Sequence, residues 1–248
     1  MLKISIITAT YNSAATVENT LNCINSQSHP LIEHIIIDGF STDNTLEIVK
    51  RFPHVHTIIS ERDSGIYEAM NKGIAIATGD IIGILNSDDV YVSKDVLSNV
   101  ANVFEDDHID VCYADLQYVQ ANNTSKVVRK WKSGSFSEKS FYLGWMPPHP
   151  TFFVRRRVYD TVGLFNTSLK SAADYEIMLR ILVKNKMTAH YMPVVIVSMN
   201  TGGISNASFR NRIRANREDR IAWKLNGLRP YFFTLYLKPL RKITQFLR

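Results

Sequence analysis

Four short apolar runs, residues 4–8, 34–38, 55–60 and 81–85, alternate with stretches of helical periodicity, and each run ends in polar residues. No other feature constrains the fold as strongly. Ile81-Ile82-Gly83-Ile84-Leu85 is apolar throughout, as expected of a strand covered on both faces in a mainly parallel sheet. Between the runs, Val17, Leu21 and Ile24 recur at helical spacing after Ser13, a suitable N-cap. Ser41-Thr42-Asp43 opens a second helix and brings an acid to its positive end. Ile66, Met70 and Ile74 form a third stripe, which we expect Gly79 to close.

In open α/β sheets, ligands bind beyond the carboxyl ends of the strands. Three polar clusters fall there: residues 8–12, Asp38 and residues 86–89. Acidic groups gathered at one edge suit a hard divalent cation whose shell a nucleotide phosphate completes. A lone Asp-Asp after a strand more often makes a turn or a helix cap, so it is the combination that points to a site.

The second half is less regular. Short strands are expected at 111–113, 116–120 and 127–130, the last two joined by the turn Asn122-Asn123-Thr124. A Pro-rich loop follows from Trp145, then a helix over about 174–184, strands around His190 and at 194–198, and the Gly202-Gly203 loop. We divide the chain into a catalytic unit, 1–205, and a basic helical tail, 206–248. The tail holds eleven Lys/Arg against Glu218 and Asp219, a net +9 that leaves −3 on residues 1–205. Such asymmetry fits an anionic surface. Arg210, Arg214, Arg217 and Lys224 share one helical face, and the aromatic-basic stretch from Tyr231 fits a segment lying in a membrane interface. No apolar run reaches the roughly 18 residues of a membrane span, and the start lacks a signal-peptide core. Cys23 and Cys112 are too few for a disulfide framework. We therefore expect a cytoplasmic protein with reduced thiols, peripheral at the inner face of the membrane.

The motifs "ATYN", "IIIDGFSTDNT", "DSGIYEAMNKGIAIATGD" and "LNSDD", followed by residues 148–165 and Asp174-Tyr175-Glu176, closely resemble family 2 glycosyltransferases of the GT-A fold. The resemblance spans roughly residues 3–200. It implies an α/β fold with a Rossmann-like nucleotide-binding mixed sheet flanked by helices. It also implies a metal-dependent, inverting transfer from a nucleotide-sugar donor to a saccharide acceptor, lipid-linked and used in surface-polysaccharide assembly. The processive branch's QxxRW motif is missing, which implies one sugar per visit. Ala9, Tyr11, Asp38, Asp63, Asn86 and Asp88 would then bind the nucleotide sugar, and Asp88 and Asp89 would hold Mn²⁺ or Mg²⁺. Asp174 would be the general base, although Ser171-x-x-Asp174 also reads as a capping box. Trp145 and His149 are acceptor-side candidates, each with packing as the alternative. Asn71 and Lys72 are weaker phosphate candidates, and His190 reads as structural. The sequence departs from the family pattern at Asn86, where an Asp is usual, and at Ala173, where a Glu is usual. Those departures support a second reading, a non-catalytic nucleotide-sugar-binding or membrane-scaffold protein. A nucleotidyltransferase is disfavoured, because no Gly-rich phosphate loop with following Arg and Lys opens the chain, and no nucleic-acid partner is expected.

Overall fold

The computed structural model describes residues 1–120, 123–201, 209–243 and 245. The elements follow in the order β1 (Ile4–Thr10), α1 (Val17–Asn25), β2 (Ile32–Asp38), α2 (Thr45–Val49), β3 (Val55–Ser60), α3 (Ile66–Ile76) and β4 (Ile81–Ile84). The chain continues with β5 (Asp89–Tyr91), α4 (Val96–Val103), β6 (Val111–Gln120), β7 (Asn123–Trp131), α5 (Glu138–Tyr142), β8 (Phe153–Arg155) and α6 (Arg156–Val162). It ends with α7 (Ala173–Met178), β9 (Ala189–Asn200), α8 (Phe209–Leu225) and α9 (Thr234–Ile243).

The sheet order is β3-β2-β1-β4-β8-β6-β9-β5, with β7 added to β6. The expected parallel half is present: β1 pairs in parallel with β2 and β4, and β2 with β3. β8 is antiparallel to both β4 and β6, so β4 and β6 run the same way and their carboxyl ends share an edge. The architecture is the mixed, helix-flanked α/β sheet read from the sequence.

Apolar side chains fill both faces. Ile7, Ile35, Ile82, Val111 and Tyr113 pack with residues of α3, α5 and α7. On the other face Ile6, Ile81, Cys112 and Leu116 pack with α4. The two strands expected at 111–113 and 116–120 are one strand, β6, and those around 190 and 194–198 are likewise one, β9. Asp115 reads as an interruption in the sequence but is 8% exposed and keeps its place in the strand. Of the expected turn at 122–124, residue 122 lies outside the described residues and Asn123 opens β7.

Local signals fared unevenly. α1 starts at Val17 rather than just after Ser13, because residues 13–16 form a separate turn in which Ser13 accepts the Thr16 and Val17 N–H groups. Gly79 does not cap α3, which ends at Ile76. A Cβ on Gly79 would stand 2.7 Å from the Ser5 nitrogen, so glycine is needed for close approach to β1. The helix expected over 174–184 is α7 continued by a π-helical turn, Leu179–Lys184.

The tail helices dock on the body. Trp223 is fully buried, and its Nε1 donates to Tyr175 Oη at 2.9 Å. Asn226 donates to Glu176, and Glu218 accepts the Ser171 N–H. Lys238 pairs with Asp219 at 2.7 Å and sits 3.6 Å above the Tyr175 ring. Among the described residues, no helix is long and apolar enough to cross a membrane. Cys23 and Cys112 are free thiols.

β2 also carries a buried histidine. His34 Nε2 lies 3.1 Å from Thr8 Oγ1 and Nδ1 lies 3.2 Å from His54 Nε2. Burial first, then neighbouring His54 and His56, hold its pKa down to about 3. Folded His34 is thus neutral where the unfolded chain takes up a proton near pH 6.5. Its contribution to stability is complete above that pH and is lost as pH falls towards 3, by up to about 1.4 kcal/mol per pH unit. Melting temperatures of wild type and His34→Gln should run parallel above pH 7, and below pH 6.5 wild type should lose stability relative to the variant. An unchanged slope in the variant would exclude His34 as the source.

Candidate functional site

Register places Thr10, Asp38 and Ser60, the last residues of β1, β2 and β3, side by side. The buried Asp38 carboxylate joins them. It accepts hydrogen bonds from Thr10 Oγ1 (2.9 Å), Ser60 Oγ (2.8 Å), the Ser41 N–H (2.9 Å) and Ser41 Oγ. A carboxylate has about four acceptor positions, so contact with a further ligand group would require one of these donors to let go. Asn12, in the left-handed region at φ 48°, accepts the Thr42 N–H at 2.9 Å and donates its own N–H to Ser41 Oγ at 2.8 Å. The loops after β1 and β2 are thereby tied together.

Above this hub lies a slot. Tyr11 is 66% exposed, with its ring against Gly39. A Cβ on Gly39 would stand 3.4 Å from Tyr11 Cδ2 and 3.0 Å from Asp63 Oδ2, so glycine keeps the two walls apart. Asp63 is held by the Gly65 N–H at 2.9 Å. Ala9 lies beneath, in the core. Sequence reasoning did not single out Gly39, because nothing local shows that two loops close on it.

The segment after β4 separates its two carboxylates. Asp88 is half-buried, and burial raises its pKa. Asp89 is fully buried, and burial, then the Asp88 charge, pushes its pKa up to about 8. Asn86 Nδ2 donates to Asp89 Oδ2 at 2.9 Å, a bond that an ionised Asp at position 86 would be unable to make. Asn86 Oδ1 and Asp89 Oδ1 are buried and, among the described residues, have no hydrogen-bond partner. Such oxygens, with Asp88 beside them, are the hard donors that Mn²⁺ or Mg²⁺ takes, and a cation would both satisfy them and favour the ionised carboxylates. The residues therefore fit such an ion. Among the described residues no three His, Cys, Asp or Glu side chains gather into a metal-holding group, so phosphate oxygens or water would complete the shell.

Asp174 stands half-buried in the first turn of α7. Its Oδ1 accepts a hydrogen bond from Tyr67 Oη at 3.1 Å, across 107 residues. Burial, then the Asp174 charge, raises the Tyr67 pKa, so the phenol keeps its proton. The capping box is not formed, since the N-cap is Ala172 and the Ser171 N–H donates to Glu218. Lys170 Nζ reaches Ser64 O at 3.2 Å, binding the loop before α7 to the loop after β3. Tyr67 lay within a quoted motif, but its partner becomes visible only once α3 and α7 share a face of the sheet.

The acceptor-side candidates divide. Trp145 is 6% exposed, donates through Nε1 to Ser133 O at 2.6 Å and packs edge-on against Tyr113 and Phe141, so it is a core residue with no free face for stacking. His149 meets Phe165 edge-on, and Asp174 opposes the lowering of its pKa by burial, which places the two within electrostatic reach. Asn71 clamps Phe165 through both its amide groups, and Lys72 pairs with Glu61 and Glu68. Neither needs a phosphate to complete its contacts.

Residues 5–163 match the family described as Glycosyl transferase family 2. A PGL/p-HBAD biosynthesis glycosyltransferase of Mycobacterium bovis is 33% identical over 208 residues, covering 82% of this chain and 78% of that protein. S. aureus TarS 1–349 superposes with a TM-score of 0.71 at 21% identity, over 98% of this chain and 72% of the other. The mannosyltransferase PcManGT of Pyrobaculum calidifontis, solved with GDP-Man and Mn²⁺, gives 0.67 at 20% identity, over 96% and 69%.

The Asp38 hub is testable alone. Asp38→Ala strands three buried or half-buried donor groups and should lower unfolding free energy by about 3 kcal/mol, read from urea denaturation. A loss under about 1 kcal/mol would show that the strand ends hold without it.

Proposed function

Because this chain belongs to glycosyltransferase family 2 and is a glycosyltransferase, we propose that it transfers one sugar, with inversion, from a nucleotide sugar to a saccharide acceptor with the help of a divalent cation. The observation that carries this reading is the Tyr67–Asp174 hydrogen bond, which fixes a carboxylate at a helix start above the same sheet whose edge bears Asp88. A binding or scaffold protein has no need of a carboxylate oriented in this way.

Tyr67 engages Asp174 Oδ1 and leaves Oδ2 to take the proton of the acceptor hydroxyl as its oxygen attacks the anomeric carbon. Tyr11 and Asp63 receive the nucleotide base and ribose across Gly39. Asp38 shapes that slot from below, and Asn86 orients the buried Asp89. Asp88, with Asn86 and Asp89 behind it, would hold Mn²⁺ or Mg²⁺; such an ion, when bound, stabilises the charge on the departing diphosphate. The donor's nucleotide stays open, since TarS has been solved with UDP-GlcNAc and PcManGT with GDP-Man.

The acceptor on this reading is lipid-linked and serves a cell-surface glycan, and the tail supplies the contact with an anionic membrane. Tyr231, Phe232, Tyr236 and Leu240 are 54%, 89%, 62% and 54% exposed. Exposed Arg220, Lys224 and Arg229 lie on the same two-helix tail. Aromatic and basic groups together favour an interfacial position. The side chains of Arg210 and Ile213 lie outside the described residues.

Nucleoside diphosphate release, measured over a panel of nucleotide sugars with and without glycoside acceptors, tests the reading. Acceptor-dependent release should need a divalent cation and be abolished by Asp88→Ala. Full activity in chelator would remove the metal, and pyrophosphate as product would indicate nucleotidyl transfer. Asp174→Asn should lower kcat by roughly 10² to 10⁴ with donor affinity retained. Near-normal turnover in that variant would remove Asp174 as base.

Membrane contact is tested on the full chain, because removing the tail would also remove buried Trp223. Wild type should cosediment with anionic vesicles in low salt and release in high salt, and Phe232→Ser with Tyr236→Ser should weaken binding at least tenfold. Equal sedimentation of variant and wild type, or none by either, would exclude this surface.

A further inference from the structure

Asp115 is an acid that the catalytic reading leaves unused. Ile82 of β4 pairs with Val154 of β8, and Val154 pairs with Val111 of β6. β4 and β6 run the same way, so residue 115 stands at the height of Asn86, two strand positions or about 10 Å along the edge. Val111 and Tyr113 face the cluster that contains Ala173 and Tyr175 of α7, whereas Cys112, Ala114 and Leu116 face the opposite cluster. By strand alternation Asp115 faces the side that carries Asp174. The pairing of β6 with β9 shifts on both sides of Asp115, and such irregularities commonly re-aim a side chain beside a site.

The carboxylate is only half satisfied. Oδ1 accepts both the Ser133 N–H at 2.7 Å and Tyr191 Oη at 2.8 Å. Among the described residues, no hydrogen bond reaches Oδ2. Tyr191 stacks on Tyr113 with ring centroids 5.4 Å apart, giving the carboxylate an aromatic wall. An acceptor-only oxygen beside an aromatic face suits a sugar, which offers hydroxyl donors and apolar C–H patches. The slot over β1–β3 is given to the donor nucleotide, so β4 and β6 border the other half of the cleft.

We infer that Asp115 Oδ2 accepts a hydrogen bond from a hydroxyl group of the saccharide acceptor, one other than the attacking hydroxyl. The inference rests on the transferase reading above. Asp115→Asn separates it from a purely structural role, because the amide oxygen still accepts from Ser133 and Tyr191 while the group offered to the acceptor becomes a donor.

The probes are octyl glycosides and polyprenyl-diphosphate sugars, assayed at saturating donor. Asp115→Asn should raise acceptor KM at least tenfold, with melting temperature, donor KM and acceptor-free donor hydrolysis unchanged. An unchanged acceptor KM overturns this inference alone. So does a parallel fall in melting temperature and donor hydrolysis, which would make Asp115 only a clamp on the loop at Ser133. A wild-type chain that transfers to none of these acceptors overturns the transferase reading together with this inference.

Discussion

A buried carboxylate, Asp38 at the end of β2, accepts hydrogen bonds from the two flanking strand ends and from the loop that follows its own strand. Parallel strands separated by helices have no turn to align their ends, so register there rests on apolar packing and on whatever crosses the strands at the edge. Here the crossing is polar and enclosed, which makes it directional and costly to leave incomplete. The Tyr11–Gly39–Asp63 slot stands on loops that leave these strand ends. Its width depends on a hub that need not touch a ligand.

The parallel half of the sheet was legible because its strands are local, apolar at nearly every position and separated by amphipathic helices. The second half was less so. Asp115 reads as part of a break between two strands, yet it is a buried group with its own partners, and only the tertiary structure supplies Ser133 and Tyr191. The aromatic character of Trp145 was legible, but its burial was not, since that depends on α5 folding over β6. The family motifs indicated Asp88 and Asp174. What they did not convey was the difference between adjacent Asp88 and Asp89, or the Tyr67 bond that joins residues 107 apart.

Asn86 is where the sequence departs from its family and where local electrostatics gives a reason. Burial raises the proton affinity of both adjacent carboxylates, and the charge of half-buried Asp88 raises that of Asp89 further. An amide at position 86 donates to the second of them without adding a third charge. On the proposed reading, a cation held there would meet one formal charge fewer from the protein.

The docking of the tail has a consequence for the order in which the chain is completed during synthesis. Tyr175 and Glu176 leave the ribosome before their partners Trp223 and Asn226, which follow 48 and 50 residues behind. Until those residues emerge, the helix bearing Asp174 lacks the indole that covers Tyr175 and the amide that binds Glu176. A nascent chain thus acquires the parallel half of its sheet first, and the helix that bears Asp174 is finished only when the basic, aromatic end of the molecule has folded onto it.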